Sequence, residues 1–157
     1  MSGQKTHKKR PKVLFVCTAG GARSIFAAGF ANQLVQEQDW VVGSGFENCT
    51  LSKRINLLFE EVRIPAHSLS PKTVFQRYSD KETFDFVVTM CSAAKMDMCP
   101  SFRKSVHVIY GNQAELFHWD IRDFRVIKES GDAWMDVARE IRSEIKSRTV
   151  DFIKSIA

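Results

Sequence analysis

Four apolar residues, Val13, Leu14, Phe15 and Val16, run straight into Cys17. Behind the cysteine stand Thr18, Ala19, Gly20, Gly21 and Ala22, and then Arg23 and Ser24. The apolar run reads as a short buried strand. Residues 23–37 read as a helix, because Phe26, Phe30 and Leu34 share one face with Ala27 and Ala31 beside them. A strand that passes into a helix through a turn of small residues is a strong constraint on what this chain can fold into.

The rest of the chain keeps the same rhythm. Residues 40–46 read as a second strand, and 51–63 as a helix with Ile55, Leu58, Phe59 and Val62 at helical spacing. Pro71 suits the first position of a short helix through Tyr78. Residues 84–91 read as the third strand and 105–110 as the fourth. The stretch 112–131 reads as irregular. A long helix over 132–156 carries Trp134, Ala138, Ile141, Ile145 and Phe152 on one stripe. This alternation predicts an α/β fold in three layers, a four-stranded parallel sheet with helices on both faces. Ligands of such sheets bind at the carboxyl ends of the strands. Cys17 and Cys91 each close a predicted strand at that end, which puts both on one edge of the sheet.

Composition bounds the partners. At 157 residues the chain is one domain's length, with enough apolar content, 44%, to build a core without disulfides or metal. The net charge of +5 equals the charge of Lys5, Lys8, Lys9, Arg10 and Lys12 alone, and residues 1–12 hold no acid. The expected organisation is therefore a basic flexible tail over 1–11 and a single domain over 12–157. A neutral folded part argues against nucleic acid as the partner. No apolar run is long enough to span a membrane, and no apolar segment follows the basic N-terminus as a secretion signal requires. The expected compartment is the cytoplasm, where cysteines stay reduced unless chemistry uses them.

The spacing Cys-x5-Arg-Ser has a physical reading. Five residues can wrap as a loop whose N–H groups point inward, with Gly20 and Gly21 permitting the backbone angles. Such a nest, closed by the positive end of the following helix, binds an oxyanion. Thr18, Ala19, Gly20, Gly21, Ala22, Arg23 and Ser24 are the expected oxyanion-binding residues. Arg23 would grip the anion with two parallel hydrogen bonds. The same field would favour the thiolate of Cys17, a nucleophile, with Ser24 donating to it. The alternative is a buried, inert cysteine before a glycine turn.

With those residues in view, the segment "VLFVCTAGGARSIFAAGFA" (13–31) resembles the start of the low-molecular-weight protein tyrosine phosphatase superfamily, and within it the thioredoxin-coupled arsenate reductases. Residues 43–74, "FDFVVTMCSAAKMDMCP" (84–100), and "FHWDIRDF" (117–124) followed by a long helix extend the likeness over most of 12–157. Seven residues separate Cys91 from Cys99, which is not the Cys-x2-Cys spacing of a zinc site, and no metal is expected. The two can pair as a reversible disulfide if their Cα atoms come within about 7 Å, or they are two unrelated thiols. Three cysteines suit a relay of thiol–disulfide exchange.

The resemblance implies a reaction. Arsenate sits in the Cys17 loop, Cys17 attacks arsenic, and Asp123 protonates the departing oxygen. Cys91 then attacks Cys17, arsenite leaves, and Cys99 attacks Cys91. The Cys91–Cys99 disulfide is then exposed for a thioredoxin-type reductant, and no bound cofactor is needed. Asp123 matches the family's general acid, with Phe124 where the family has proline. The residues alone also allow a surface aspartate beside Arg122 and Arg125. Gly20 stands where the family loop carries asparagine, and the aromatic pair that tyrosine phosphatases place after their acid is absent. Three functions follow: an arsenate reductase using Cys17, Arg23, Asp123, Cys91 and Cys99; a phosphatase hydrolysing phosphomonoesters through a phosphocysteine; or a non-catalytic oxyanion-binding protein. His118 and Trp119 read as packing residues, and Cys49 as an ordinary small residue.

Overall fold

A computed structural model describes residues 11–19, 22–35, 41–48, 51–66, 72–92 and 99–157, with 19 and 41–48 described in backbone only. Strand β1 (Lys12–Ala19) leads into helix α1 (Ala22–Leu34), and β2 (Val41–Asn48) leads into α2 (Lys53–Glu61). The two-residue strand β3 (Lys72–Thr73) runs directly into α3 (Val74–Ser79). Then follow β4 (Phe86–Thr89), α4 (Cys99–Tyr110), β5 (Glu115–His118), a 3-10 turn at Phe124–Val126 and α5 (Gly131–Ile156). The strands form one sheet in the order β3-β2-β1-β4-β5, and each neighbouring pair is parallel. The expected four-stranded parallel sheet is thus β2-β1-β4-β5, with β3 added at one edge.

β1 sits in the middle because both of its faces are apolar. Successive side chains of a strand point to opposite faces. Val13, Phe15 and Cys17 join a core with Ala22, Phe26 and Phe30 of α1, Leu58 and Phe59 of α2, and Ile141, Ile145 and Phe152 of α5. Leu14 and Val16 join a separate core with Val74 of α3 and Cys99, Phe102, Val106 and Tyr110 of α4. The sheet is therefore covered on both sides, by α1, α2 and α5 on one face and α3 and α4 on the other.

α1 is buried from Ala22 through Ala31, so small residues matter along it. A Cβ added to Gly29 would lie 2.6 Å from Ile64 Cγ2, closer than any real contact. A side chain at this position would require Ile64 to shift. Leu34, expected on the buried stripe, is instead 43% exposed at the helix end. The α5 stripe is buried as expected at Trp134, Ala138, Ile141, Ile145 and Phe152. Arg139 and Arg142 clamp α5 to Glu61 of α2 at 2.8 and 2.7 Å.

Two expectations are corrected. Residues 105–110, expected as the fourth strand, are the second half of α4. Their β-branched run suits a strand locally. Cys99, Phe102, Val106 and Tyr110 all face the core at helical spacing, however, while Val108 is 75% exposed. That stripe decides the matter, and Pro100 sits in the first turn where a missing N–H costs nothing. The fourth strand is instead β5, inside the stretch expected to be irregular. The short helix begins at Val74, because Thr73 caps it: Gln76 N–H donates to Thr73 Oγ1 at 3.0 Å. Pro71, residues 1–10 of the expected basic tail, and Cys49 lie outside the described residues.

Candidate functional site

β1 delivers Cys17 to the carboxyl edge of the sheet, and α1 starts five residues later, at Ala22. The first turn of α1 contains no acid, so its N-terminal N–H groups present an undiminished positive end toward the cysteine. Cys17 is fully buried, and its thiol donates to Ser24 Oγ at 3.2 Å. The structure thus brings Cys17, Thr18, Ala22, Arg23 and Ser24 to one place. Gly20 and Gly21 lie outside the described residues, and Ala19 is described only in its backbone.

Arg23 is 1% exposed. Its Nη1 donates to the Ile121 carbonyl at 3.0 Å, and its Nη2 donates to Thr18 Oγ1 at 3.0 Å. Nη2 also lies 3.4 Å from Asp123 Oδ2. The guanidinium therefore spans from the Cys17 loop to the segment before the 3-10 turn, tying together residues 100 positions apart. Asp123 is buried as well. Its Oδ1 accepts from the Arg125 N–H at 2.9 Å, and its Oδ2 accepts from Arg125 Nε and Nη2 at 2.8 and 2.5 Å. Asp123 is thus beside the Cys17 loop, as the resemblance implies, and lies between the guanidiniums of Arg23 and Arg125. Arg125 is the residue that sequence reasoning did not assign. The signal was present in Asp123-Phe124-Arg125, since an aspartate commonly caps the N–H two residues on.

The expected thiolate is corrected. Burial pushes the Cys17 thiol above its ordinary pKa. The Arg23 charge and the hydroxyl and N–H of Ser24 pull it down, and Asp123 pushes it up again. Removal from water is the largest cause, so the balance moves toward the thiol and away from the thiolate.

The other two cysteines lie on the opposite side of the sheet. Cys91 follows β4, which neighbours β1, so both cysteines are at the same edge, as expected. Cys91 belongs to the core of α3 and α4, whereas Cys17 belongs to the core of α1, α2 and α5. Cys91 and Cys99 are joined as a disulfide, with Cα atoms 5.3 Å apart. The expectation of an exposed disulfide is overturned: Cys91 is 0% exposed and Cys99 is 6% exposed. Both cysteines belong to the core that also holds Leu14, Val16 and Phe102.

His118, at the end of β5, meets Thr89 of β4 across the ladder. Thr89 Oγ1 donates to the Phe117 carbonyl at 3.2 Å and lies 2.7 Å from His118 Nδ1. Burial keeps the imidazole toward its neutral form, and the Arg103 charge adds to this. Trp119 packs on Phe15 and Phe152, with ring centroids 5.8 and 5.7 Å away. Phe124, in the place of the family's proline, packs on Phe26 at 5.7 Å.

The family model described as low molecular weight phosphotyrosine protein phosphatase matches residues 12–157. The chain belongs to this family. Relatives and solved structures of the low-molecular-weight phosphatase fold agree with it. An arsenate reductase of Oceanobacillus iheyensis is 26% identical over 143 residues, covering 91% of this chain and 95% of the relative. An arsenate reductase of Staphylococcus xylosus is 28% identical over 141 residues, covering 89% and 94%. A structure of an arsenate reductase in its oxidized state superposes with a TM-score of 0.66 at 21% identity, covering 94% of this chain and 99% of the other. The low molecular weight protein tyrosine phosphatase of T. tengcongensis does so with a TM-score of 0.66 at 20% identity, covering 92% and 99%. Family and relatives alike are enzymes by name, and so is this chain. Among the described residues, no helix is long and apolar enough to cross a membrane.

Proposed function

We propose that the chain is a thiol-dependent arsenate reductase. The observation that carries this reading is the pairing of Cys91 with Cys99 at the edge where Cys17 stands as a free thiol. That combination is the state in which a cysteine relay ends. A phosphatase uses Cys17, Arg23 and Asp123 and has no need of the pair. The curated relatives named arsenate reductases support the same choice.

In this reading, arsenate enters the loop of residues 18–24 and takes over hydrogen bonds from Arg23 and the amides. As Cys17 attacks arsenic, its proton passes to the Asp123 carboxylate that the anion has released from Arg23. Asp123 hands that proton to an arsenic-bound hydroxyl, which leaves as water as the sulfur–arsenic bond forms. Cys91 attacks Cys17 Sγ, forming a Cys17–Cys91 disulfide. The electron pair of the sulfur–arsenic bond stays with arsenic, which departs as arsenite. Cys99 then attacks Cys91, returning Cys17 as a thiol and leaving the Cys91–Cys99 disulfide. A dithiol reductant of the thioredoxin type supplies the two electrons that open it. Because the disulfide is buried and on the far face, Cys91 must change face once per turnover, and the disulfide must be uncovered for reduction.

The test measures arsenate-dependent NADPH oxidation coupled through thioredoxin and its reductase, beside hydrolysis of an aryl phosphate, in wild type and Cys91→Ser. Reduction that is lost in the variant while hydrolysis persists supports the reading. Hydrolysis alone, indifferent to Cys91, replaces it with the phosphatase. Silence in both assays leaves the oxyanion-binding protein.

A further inference from the structure

Cys91 and Cys99 share their surroundings with a third group. A ring nitrogen of His118 and the two Sγ atoms all lie within 4.8 Å of one another. The sequence hides this, because His118 is on β5 and the cysteines flank the start of α4. We propose that the reduced Cys91–Cys99 pair and His118 form a binding site for a thiophilic divalent cation of the zinc type, with one coordination position left open.

The geometry is close to what such an ion requires. Around a tetrahedral zinc with Zn–S near 2.3 Å and Zn–N near 2.0–2.1 Å, ligand atoms stand about 3.5–3.8 Å from one another. The three atoms here already fall within 4.8 Å, and opening the disulfide supplies the small separation the two sulfurs need. Two thiolates and an imidazole are the donor set that zinc prefers over magnesium or calcium.

The histidine is also held in the way a ligand is held. A hydroxyl carries one proton, and Thr89 Oγ1 directs its own to the Phe117 carbonyl. With that proton directed to Phe117, His118 Nδ1 donates in the 2.7 Å contact with Oγ1. In this tautomer the lone pair is on Nε2, and Thr89 orients the ring as outer hydrogen bonds do at metal-bound histidines.

His118 borders a cleft of about 430 Å³, which Thr89 and Pro100, the neighbour of Cys99, also line. Arg103, Lys104 and His107 line it too. The positive charges of Arg103 and Lys104 suit a complex whose fourth ligand is water or a small anion from the cleft.

The chemistry balances without an oxidant. A dithiol or phosphine reductant opens the disulfide with two electrons and two protons. The ion then displaces both thiol protons to solvent as it binds. Metal and disulfide exclude each other, so a bound ion takes both cysteines out of any relay, whichever reaction Cys17 performs.

Cobalt(II) is the probe. The full chain is reduced with a phosphine, freed of reductant and titrated with cobalt(II). Zinc(II) is then added in competition. One equivalent of cobalt is expected, with a thiolate-to-cobalt charge-transfer band that zinc abolishes. The oxidised chain, Cys91→Ser and Cys99→Ser should show no band, and Cys17→Ser should keep it. His118→Ala should weaken binding by about tenfold or more and change the tetrahedral cobalt spectrum. His118→Gln, which can still hydrogen-bond Thr89, serves if the alanine variant does not fold. No binding by the reduced wild type overturns the proposal. So does binding that survives oxidation or Cys91→Ser, which marks adventitious metal only, and so does a spectrum indifferent to both His118 variants.

Discussion

The two faces of the sheet hold two kinds of sulfur. On the α1 and α5 face, Cys17 is a free thiol whose partners are close in sequence: Ser24 at 3.2 Å and, through Arg23, Thr18. On the α4 face, Cys91 is bonded to Cys99 and set beside His118, which belongs to another strand. The first site is made by one strand–turn–helix unit and is nearly complete within eight residues. The second needs three elements to assemble. The surroundings of Cys17 are therefore set mainly by one local segment, whereas those of Cys91 depend on tertiary placement across the sheet.

Cys17→Ser removes the first of these two sulfur sites. Arsenate reduction and aryl phosphate hydrolysis should both fall by about a thousandfold or more, since the nucleophile is common to them. The Cys91–Cys99 disulfide should still form, as seen by thiol counting before and after reduction. Loss of the disulfide in this variant would mean that the two faces are not independent.

A smaller effect separates the two sulfur environments by pH. The raised pKa keeps Cys17 protonated at neutral pH, so its alkylation by iodoacetamide should be slower at pH 7 than that of a free cysteine and should rise as pH passes the ordinary thiol range. Ser24→Ala should slow it further at a given pH, because Ser24 lowers that pKa. Cys91 and Cys99 should stay unlabelled at every pH until reduced. Fast labelling of Cys17 at pH 7 would put a thiolate there after all.

Gly29→Ala probes the packing of the Cys17 face. Overpacking costs about 1–3 kcal/mol, and the better helix propensity of alanine returns up to about 1 kcal/mol. The variant should lose about 1 kcal/mol net, read as a thermal midpoint lower by about 2–4 °C. An unchanged midpoint would show that Ile64 moves aside freely.

The smallest effect is at the α2–α5 clamp. Hydrogen bonds from Arg139 and then Arg142 lower the Glu61 pKa from 4.5 to about 2. A depressed carboxylate contributes stability above its unfolded pKa and loses it as pH falls through the folded value. Glu61→Gln should therefore cost less than about 1 kcal/mol at pH 7, because the pair is partly solvated. The gap to wild type should close between pH 4.5 and 2. A gap that persists at pH 2 would assign the loss to packing rather than charge.

The sequence was legible where a signal is local. The strand–loop–helix at Cys17 and the α5 stripe follow from a run and a period contained in one stretch. The segment 105–110 misled because its β-branched residues carry a strand's preference, while two of the four residues that fix it as a helix, Cys99 and Phe102, lie before it. The Arg23–Asp123–Arg125 pairing was not legible, since the register that brings residues 100 apart into contact is set by the whole sheet. The face of Cys91 was hidden for the same reason. The thiolate expectation failed because loop spacing reveals the charges near Cys17 but not how completely water is removed.

Arg23 already has an occupant. Its Nη2 lies 3.4 Å from Asp123, so in the proposed reductase an arriving oxyanion would compete with Asp123 for the same guanidinium. A dianion would bring more charge to that contest than one carboxylate can, and a monoanion would not. The pairing would then work as an entry threshold set by charge. Crossing it would make ligand capture and the release of the proton carrier a single event.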